Sequence, residues 1–474
     1  MPACSVAIVG GGFSGTTLAI ALADTAPPGL SIRLIEQTAT AGPGLAYGTQ
    51  GDVELLNVPA SRMSAFADRP SDFLDWLRAR SASSPDRAVP EAGCFASRRL
   101  YGIYLQDLLA EALRRAPPNR LAVVRGQAVA LSRTPHGMAV SLADGRRMEA
   151  SVAVLATGGT PPAPPAIPGC SALDPTSYRE NPWARDTIDD LPPEAAVLTI
   201  GSGLTMIDTV CRLLDRGHTG PISVLSRRGL VSLAHVPSGL AAALPVPPDL
   251  PRTPLGLTRY LRGEAARLAA AGETWHGAID GLRPVAQAIW RGWNEAERSG
   301  FLRHLRPFWD IHRHRMPAAV AARVRAARES GQIQVLAGRL VRFDPVEGAV
   351  RATWRRRGGD AEETFLVHRV VNCTGPTTDV RLFPDPLTRA LLEDGLARSD
   401  RFGLGFDTTA EDRVVDRTGI GSDRLFAIGP ICRPEAWEIV AVPDIRVRSV
   451  ALSRRIADTL ASRDRAAPFG TVTE

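Results

Sequence analysis

The stretch SVAIVGGGFSG, residues 5–15, decides the fold. Its first five residues form an apolar run rich in branched side chains, which predicts a buried strand. The glycines fit the pattern G-x-G-x-x-G, and the residues after them predict a helix. In such a unit Gly10 allows a tight turn, Gly12 lets the backbone approach a pyrophosphate, and Gly15 lets the helix pack closely on the strand. Because unpaired N–H groups at a helix N-terminus attract phosphate, the stretch predicts a dinucleotide site.

An acidic residue closes the next predicted strand. Residues 32–35 are apolar apart from one arginine, and Glu36 follows them. A carboxylate about 20 residues beyond the glycines accepts hydrogen bonds from a ribose, which suits the adenosine of FAD. The alternative is a glycine-rich turn that binds no ligand.

A second strand–turn–helix unit lies in the middle of the chain. Residues 195–200 predict a strand, and Gly201 and Gly203 follow in a fingerprint whose third glycine is replaced by methionine. The next strand ends in Arg227 and Arg228. An acid there would repel the 2′-phosphate of NADP, whereas arginine pairs with it. The pattern favours NADPH, with NADH still possible; the alternative is that both arginines are solvated loop charges.

Two strands run into similar turns, at residues 152–159 and 370–376. In flavoproteins with two dinucleotides, such strand-to-Thr-Gly turns mark where the chain crosses between the FAD and NADPH domains. Thr157, Gly158 and Gly375 are therefore candidate cofactor contacts.

Composition excludes several kinds of chemistry. None of the 474 residues is lysine, so all 56 basic side chains are arginine, and Schiff-base, P-loop and acid–base lysines are excluded. A net charge of +6 is small for this length, and the arginines are spread out, so no nucleic-acid binding is expected. The six scattered cysteines form no C-x-x-C pair, and no long apolar run predicts a membrane span. We expect a cytoplasmic protein that binds no membrane.

Several stretches along nearly the whole chain carry a resemblance to a known family. They are residues 44–49, 56–60, 99–102, 201–208, 372–376 and 437–446. The chain resembles bacterial FAD/NAD(P)-binding proteins related to class B flavin monooxygenases, a family that includes an FAD-dependent urate hydroxylase.

The resemblance implies an α/β, Rossmann-like flavoprotein fold that binds two dinucleotides, with an inserted NADPH domain and a helical insertion. It implies an FAD domain whose first part is 1–165 and second part 366–474, an NADPH domain at 190–235 and 329–365, and a helical cap at 236–328. It also implies that residues 44–62, which include Asn57, wrap the flavin.

The resemblance also assigns the late FAD strand, near Gly429. Many two-dinucleotide flavoproteins carry Gly-Asp there, and the aspartate binds the ribityl chain or a phosphate. Pro430 stands in its place here, and Asp444 is a substitute candidate. Asp444 precedes a predicted helix at about 445–460, whose N-terminus would face the isoalloxazine and stabilise the reduced, anionic flavin.

The insertion is the candidate substrate side. Residues 236–262 predict an irregular linker and residues 263–328 predict helices. The candidates for recognition of an anionic substrate are Arg303, Arg306, His312, Arg313 and Arg315. The open alternative is a packing cap whose arginines face water or the NADPH phosphates. No metal site is expected, because histidine spacings of eight and two residues do not suit paired ligands on a helix.

Three functions remain open at this stage. The first is a monooxygenase that uses dioxygen and a flavin C4a-(hydro)peroxide to hydroxylate a small polar or anionic substrate, either a urate-like purine or an amine or amino acid. The second is an NADPH-dependent flavin reductase or oxidase, and the third a non-catalytic flavin-bound sensor. The oligomeric state is not predicted, and residues 468–474 are expected to form a disordered tail.

Overall fold

The computed structural model describes residues 4–49, 51–82, 89–238 and 242–466, so the expected tail at 468–474 lies outside the described residues. The strands are β1 (Ser5–Val9), β2 (Ser31–Glu36), β3 (Leu121–Arg125), β4 (Ala128–Arg133), β5 (Met138–Leu142), β6 (Arg147–Ala150), β7 (Val152–Leu155), β8 (Tyr178–Arg179), β9 (Val197–Ile200), β10 (Ile222–Ser226), β11 (Ile333–Val346), β12 (Ala349–Arg356), β13 (Glu362–Val367), β14 (Arg369–Asn372), β15 (Arg413–Val415) and β16 (Gly421–Ala427).

Helices connect these strands. The α-helices are α1 (Phe13–Thr25), α2 (Gly44–Tyr47), α3 (Asp72–Ala82), α4 (Arg98–Arg115), α5 (Leu204–Asp215), α6 (Pro254–Ala270), α7 (His276–Gly281), α8 (Ala286–Gly292), α9 (Glu295–Gly300), α10 (Arg306–Arg313), α11 (Ala318–Glu329), α12 (Pro386–Glu393) and α13 (Val442–Ala466). Short 3₁₀ turns lie at Ala60–Arg62, Cys170–Ala172, Arg185–Thr187, Arg283–Val285, Val380–Leu382 and Pro430–Cys432, and a π-helical turn spans Phe301–Leu305.

The first sheet contains the N-terminal strand at its centre. Its order is β15-β16-β7-β1-β2-β3, with every pair parallel except β15 and β16. Helices α1, α4 and α13 cover one face, where Leu18, Leu109 and Leu452 pack on Val6 and Ile32. Because β1 lies between β2 and β7, the connections leave it in opposite directions, and the carboxyl ends of the strands form a crevice there.

A small antiparallel sheet, β4-β5-β6, covers the opposite face of the first sheet. Met138 and Val140 of β5 belong to the same core as Val9 and Leu155. Both faces of the central strands are thus buried, which is why these strands are apolar almost throughout.

The second sheet has the order β13-β12-β11-β10-β9-β14-β8. Strands β8, β14, β9, β10 and β11 are parallel, and β11, β12 and β13 form an antiparallel extension. The boundary predicted at residue 366 places β14 in the returning FAD segment, yet this strand pairs with β9. Its four residues are all buried, as expected for a strand inside the second sheet, where β14 lies between β8 and β9. By sheet membership, the chain crosses back after Asn372.

The two expected crossings lie side by side. Thr160 and Thr377 form an isolated antiparallel bridge, with the Thr377 N–H donating to the Thr160 carbonyl at 3.3 Å. The strand-to-Thr-Gly turns therefore lie where the chain passes between the two sheets.

The helical insertion, α6 to α11, lies between β10 and β11. It begins earlier than expected, because Pro254 opens α6 within the stretch predicted as an irregular linker. The hydroxyl of Thr253 caps this helix by accepting a hydrogen bond from the Gly256 N–H at 3.1 Å. Threonine followed by proline is a helix-start signal, which a reading of proline only as irregular overlooks.

The C-terminal helix α13 is anchored to the first sheet by a buried carboxylate. Asp412, which is fully buried, accepts hydrogen bonds from Arg448 and Arg455 of that helix. The helix is longer than predicted at both ends, so Asp444 lies within its first turn. No helix in the described ranges is long and apolar enough to cross a membrane.

Candidate functional site

The first glycine loop has the shape that the fingerprint requires. Gly10 has a φ of +108°, which favours glycine, and an added Cβ would lie 2.3 Å from the carbonyl oxygen of Ala156. A Cβ on Gly15 would lie 1.9 Å from the Gly10 carbonyl oxygen. Gly12, by contrast, would bring its Cβ no closer than 3.5 Å to any atom. Two of the glycines are therefore needed for packing, and the third leaves room for a ligand.

Glu36 lies at the carboxyl end of β2 and faces this loop. Its carboxylate, only 7% exposed, accepts hydrogen bonds from the Gly11 N–H at 2.8 Å and from the Thr38 N–H at 2.7 Å. The position beside the loop agrees with the expected place of a ribose-binding acid. The sequence alone did not reveal that the same carboxylate also holds the glycine loop in shape.

An unsatisfied hydroxyl lies across the crevice from the loop. Thr157 follows β7, and its buried Oγ1 has no hydrogen-bond partner among the described residues. Buried polar groups in native proteins are nearly always paired, so an unpaired one beside a glycine loop marks room for a polar ligand. The neighbouring Gly158 has a φ of +69°. These features fit a dinucleotide.

Gly429 closes the other side of the first loop. Its φ is +90°, and an added Cβ would lie 2.4 Å from Oγ of Ser14, at the start of α1. Gly429 therefore lets the end of β16 approach the N-terminus of this helix. Gly375, at the second crossing, has a φ of +90° with open space around it.

The second loop repeats this geometry in the second sheet. Gly201 has a φ of +103°, and an added Cβ would lie 2.4 Å from the carbonyl oxygen of Cys373. Gly203, at the start of α5, has no atom within 4 Å of such a Cβ. The head of α5 is thus open, and its unpaired N–H groups can bind a phosphate.

The two arginines beyond β10 differ in their surroundings. Arg227 is exposed, whereas Arg228 is partly buried and donates from NH2 to the Arg303 carbonyl at 3.2 Å. In a regular α-helix the Arg303 carbonyl would accept a hydrogen bond from the N–H of residue 307, but Pro307 has no N–H. Arg228 therefore holds the π-helical turn of the insertion, and Arg227 is the one available to a cofactor phosphate.

The structure does not gather the substrate-side candidates into one group. Arg303 is exposed. His312 donates from Nδ1 to the Phe308 carbonyl at 2.8 Å. Arg315 is 3% exposed and pairs with the buried Asp280, which also lies 3.8 Å from Arg62. His312 and Arg315 both lie against the Trp275 ring, and Arg306 and Arg313 share a second neighbourhood.

That neighbourhood is a buried cluster of charges between the insertion and the segment before α13. Arg313, 8% exposed, lies 3.1 Å from Glu438, which is 2% exposed. Arg283 lies 3.1 Å from Asp444, and Arg306 lies 3.3 Å from Asp310. The pKa of Glu438 lies below its usual value because the surrounding cations outweigh its burial.

Asn57 contacts a histidine that the sequence did not single out. Nε2 of His235 lies 3.0 Å from the Asn57 carbonyl oxygen, and its ring lies 5.0 Å from that of Phe95. Burial lowers the pKa of His235 to about 4, so at neutral pH the ring is uncharged and donates from Nε2 to this carbonyl. His235 follows β10 and therefore joins the second sheet to the segment around Asn57.

Comparison with known proteins agrees with this geometry. Residues 7–160 match a protein family described as FAD-NAD(P)-binding. The ornithine N-hydroxylase of Kutzneria sp. 744, solved with reduced FAD, NADP⁺ and L-ornithine, is 14% identical and has a TM-score of 0.65, covering 98% of this chain and 100% of its own. The fold is that of a two-dinucleotide-binding flavoprotein.

Two other solved structures show the range of this flavoprotein fold. The FAD-bound cadaverine monooxygenase of the desferrioxamine pathway from Erwinia amylovora is 13% identical, with a TM-score of 0.66 over 95% of this chain and 94% of its own. The thioredoxin reductase of T. acidophilum is 11% identical, with a TM-score of 0.52 over 96% and 98%. No curated protein sequence matches the chain. Because monooxygenases and a reductase share the fold, the site must decide between them.

Several site residues escaped the sequence analysis. They are Arg283 and His235, whose partners are distant in the sequence, and Arg433, whose guanidinium carbon lies 4.0 Å from the centre of the Trp437 ring. Glu438 lay within a stretch that carried the family resemblance but had no assigned role. The pair Arg433 and Trp437, four residues apart, was the one local signal available. The described residues contain no group of three or more side chains placed to hold a metal ion.

Two ion pairs join the two sheets of the flavoprotein fold. Arg98 at the start of α4 lies 3.2 Å from Asp208 of α5, and Arg212 lies 3.6 Å from Glu54. Burial raises the pKa of Asp208 to about 6, even though Arg98 lowers it. The carboxyl is therefore neutral below about pH 6 and costs folding free energy when it ionises above that pH.

We expect Asp208→Asn to become more stabilising, relative to the wild type, as pH rises from about 4 to 7. The carboxyl titrates near 3.8 when unfolded and near 6 when folded, so the folded state binds the extra proton in this window. The difference in unfolding free energy between variant and wild type should grow by about 1–3 kcal/mol, measured by urea denaturation at several pH values. Asp215→Asn, at the exposed end of the same helix, is the control. A difference that stays flat with pH would contradict the prediction.

Proposed function

We propose that the protein is an FAD- and NADPH-dependent monooxygenase that hydroxylates the nitrogen of a small amine or amino acid. The observation that carries this proposal is the pair of glycine loops, one at the carboxyl edge of each parallel sheet, with the helical insertion packed against the segment before α13 through the buried charge cluster. The likeness to ornithine and cadaverine monooxygenases supports the choice of reaction. A urate-like purine is the alternative substrate.

The residues of the first sheet suit FAD. The head of α1 offers N–H groups to the pyrophosphate, Glu36 can accept from the ribose, and the unpaired Thr157 hydroxyl can bond the cofactor. The candidate contacts are Gly10, Gly12, Gly15, Glu36, Asn57, Thr157, Gly158, Gly375, Gly429 and Asp444. When bound, FAD supplies the hydride acceptor and the activation of dioxygen. Asp444 already pairs with Arg283, so a role at the ribityl chain requires it to make both contacts.

The residues of the second sheet suit NADPH. Gly201 shapes the turn, Gly203 leaves space at the head of α5, and Arg227 stands exposed where the 2′-phosphate would lie. The insertion follows β10 in the chain. Arg228, just after β10, donates a hydrogen bond to the Arg303 carbonyl of the insertion. The insertion packs against the segment before α13 through Trp290, Phe301 and Trp437, which form one hydrophobic cluster.

The test of the function is a substrate screen on purified holoprotein that follows NADPH oxidation, dioxygen uptake and peroxide together. Substrate-stimulated oxidation with oxygen incorporated into an amine is the expected result. Oxidation without substrate and with stoichiometric peroxide would instead show an oxidase. Reduction of a quinone or protein acceptor would show a reductase, and flavin that NADPH cannot reduce would leave a non-catalytic role.

Replacing both arginines beyond β10 by alanine should raise the KM for NADPH about tenfold or more, and that for NADH less than about twofold. The reason is the loss of a charge-assisted contact with the 2′-phosphate. We expect Arg227→Ala alone to account for most of the change, because Arg228 is engaged with the Arg303 carbonyl. Steady-state kinetics with both nucleotides measure this, with Arg216→Ala as a matched surface control. Equal losses for NADH and NADPH would refute the assignment.

A further inference from the structure

The buried charge cluster between the insertion and the segment before α13 contains one arginine more than the number of its carboxylates. Three carboxylates each have an arginine partner: Asp310 with Arg306, Glu438 with Arg313, and Asp444 with Arg283. Arg433 lies among them, and no carboxylate of the described residues lies within 4 Å of its guanidinium. Its side chain is 92% buried, since only 8% is exposed. A buried charge without a partner is costly, and proteins rarely keep one without use.

The surroundings of Arg433 increase this cost. Its guanidinium carbon lies 4.0 Å from the centre of the Trp437 ring, and its Nε has no hydrogen-bond partner in the described parts of the chain. Arg306 approaches the same ring at 5.6 Å, so two like charges face one indole. Burial and the charge of Arg306 lower the pKa of Arg433 to about 10, although the more distant charges of Asp310 and Glu438 raise it. An anion between the two guanidinium groups would satisfy both.

The position suits a substrate group. Arg433 lies four residues after Gly429, which packs against the head of α1, and Trp437 leads into α13. Arg306 and Asp310 are each about one-third exposed, at 33% and 34%, so the cluster is open to solvent on the side of the insertion.

We propose that Arg433, together with Arg306, binds a carboxylate of the substrate. The proposal rests on the monooxygenase function proposed above and narrows it: the substrate is an amino acid rather than a simple diamine or a purine. Carboxylate is the group that guanidinium recognises with two parallel hydrogen bonds, and the flat face of Trp437 holds Arg433 in one orientation for it. Arg283 and Arg313 pair with Asp444 and Glu438. Arg306 is one-third exposed beside Asp310, so it can contact the ligand together with Arg433.

The test uses pairs of compounds that differ only in the carboxylate. L-Lysine and cadaverine form one pair, and L-ornithine and putrescine the other. We expect kcat/KM for substrate-stimulated NADPH oxidation to be at least about tenfold higher for the carboxylate member of one pair. Arg433→Met should raise the KM for that compound about tenfold or more and change the value for its decarboxylated twin less than twofold, and Arg433→Lys should restore part of the loss.

Binding without turnover separates this proposal from the proposed function. Quenching of tryptophan fluorescence in the holoprotein is titrated with L-lysine, L-ornithine, glutarate, cadaverine, urate and sulfate. Saturable binding of a carboxylate that Arg433→Met weakens supports the site even if NADPH oxidation is never observed. Arg356→Met, which removes an exposed arginine stacked on Trp354, is the matched control and should leave binding and activity unchanged.

Specific outcomes would overturn the proposal. These are equal kcat/KM within both pairs, binding of urate or sulfate but of no carboxylate, or carboxylate binding that Arg433→Met leaves unchanged. If Arg433→Met does not fold, as judged by its thermal transition, Arg306→Met and Arg433→Lys test the same contact. NADPH that fails to reduce the flavin anaerobically would count against the proposed function alone.

Discussion

Gly15→Ala is expected to prevent the protein from folding with flavin bound. The new methyl group would lie 1.9 Å from the carbonyl oxygen of Gly10, and neither atom belongs to a flexible side chain. Either α1 moves away from β1 or the loop opens, and both changes disrupt the core beneath the cofactor. We expect a loss of about 3 kcal/mol or more in unfolding free energy, together with colourless protein. Flavin content and urea denaturation measure the two effects.

Gly12→Ala is the matched variant within the same loop. Its Cβ would lie 3.5 Å from the nearest atom, an ordinary contact, and its backbone already has a negative φ of −74°. The variant should therefore fold with a thermal transition close to that of the wild type but retain little FAD, because the methyl group occupies the approach of the pyrophosphate. If Gly15→Ala were as yellow and stable as the wild type, the close packing of helix on strand would be wrong.

Asp412→Ala should cost about 3–5 kcal/mol in unfolding free energy. The fully buried carboxylate accepts hydrogen bonds from Arg448 and Arg455, so its removal leaves the largely buried Arg448 without its partner. Asp412 also has a φ of +66°, a conformation that aspartate tolerates better than alanine. Chemical denaturation measures the loss, and a lowered FAD affinity should accompany it, because the head of α13 is displaced.

Asn119→Ala and Asp412→Asn separate the two causes. Asn119 has a φ of +64° but is exposed, so alanine there should cost only about 1 kcal/mol of backbone strain. Asp412→Asn keeps the backbone preference and the shape but removes the charge, and should lose less than alanine. If Asp412→Ala cost no more than Asn119→Ala, the carboxylate would not anchor α13.

Features that depend on short stretches of sequence were predicted well. The strand, glycine turn and helix of each loop are neighbours in the chain, so their residue types and spacing were enough. Thr253, which opens α6, was also a local signal, but the prolines around it were interpreted as a linker. Its cap shows that threonine followed by proline starts a helix at this position.

Features that depend on distant residues were not predictable. Arg433 is one of many arginines in the sequence, and only the fold shows that its neighbours have other partners and that it lacks one. The same holds for β14, whose second neighbour, β8, lies almost 200 residues earlier. The cluster at 303–315 attracted attention by its composition, yet its members face different parts of the molecule. A run of many charged residues in the sequence does not show which of them contact one another in the folded protein.

The paired crossings at Thr160 and Thr377 have a mechanical consequence. The two connections lie a single hydrogen bond apart, so a displacement of one sheet along the other would stretch both at once. The insertion is carried by the second sheet, between β10 and β11, whereas Arg433 and α13 belong to the first. The two halves of the proposed carboxylate site therefore come from different sheets, and the ion pairs Arg98–Asp208, Arg212–Glu54 and Arg313–Glu438 keep them in register.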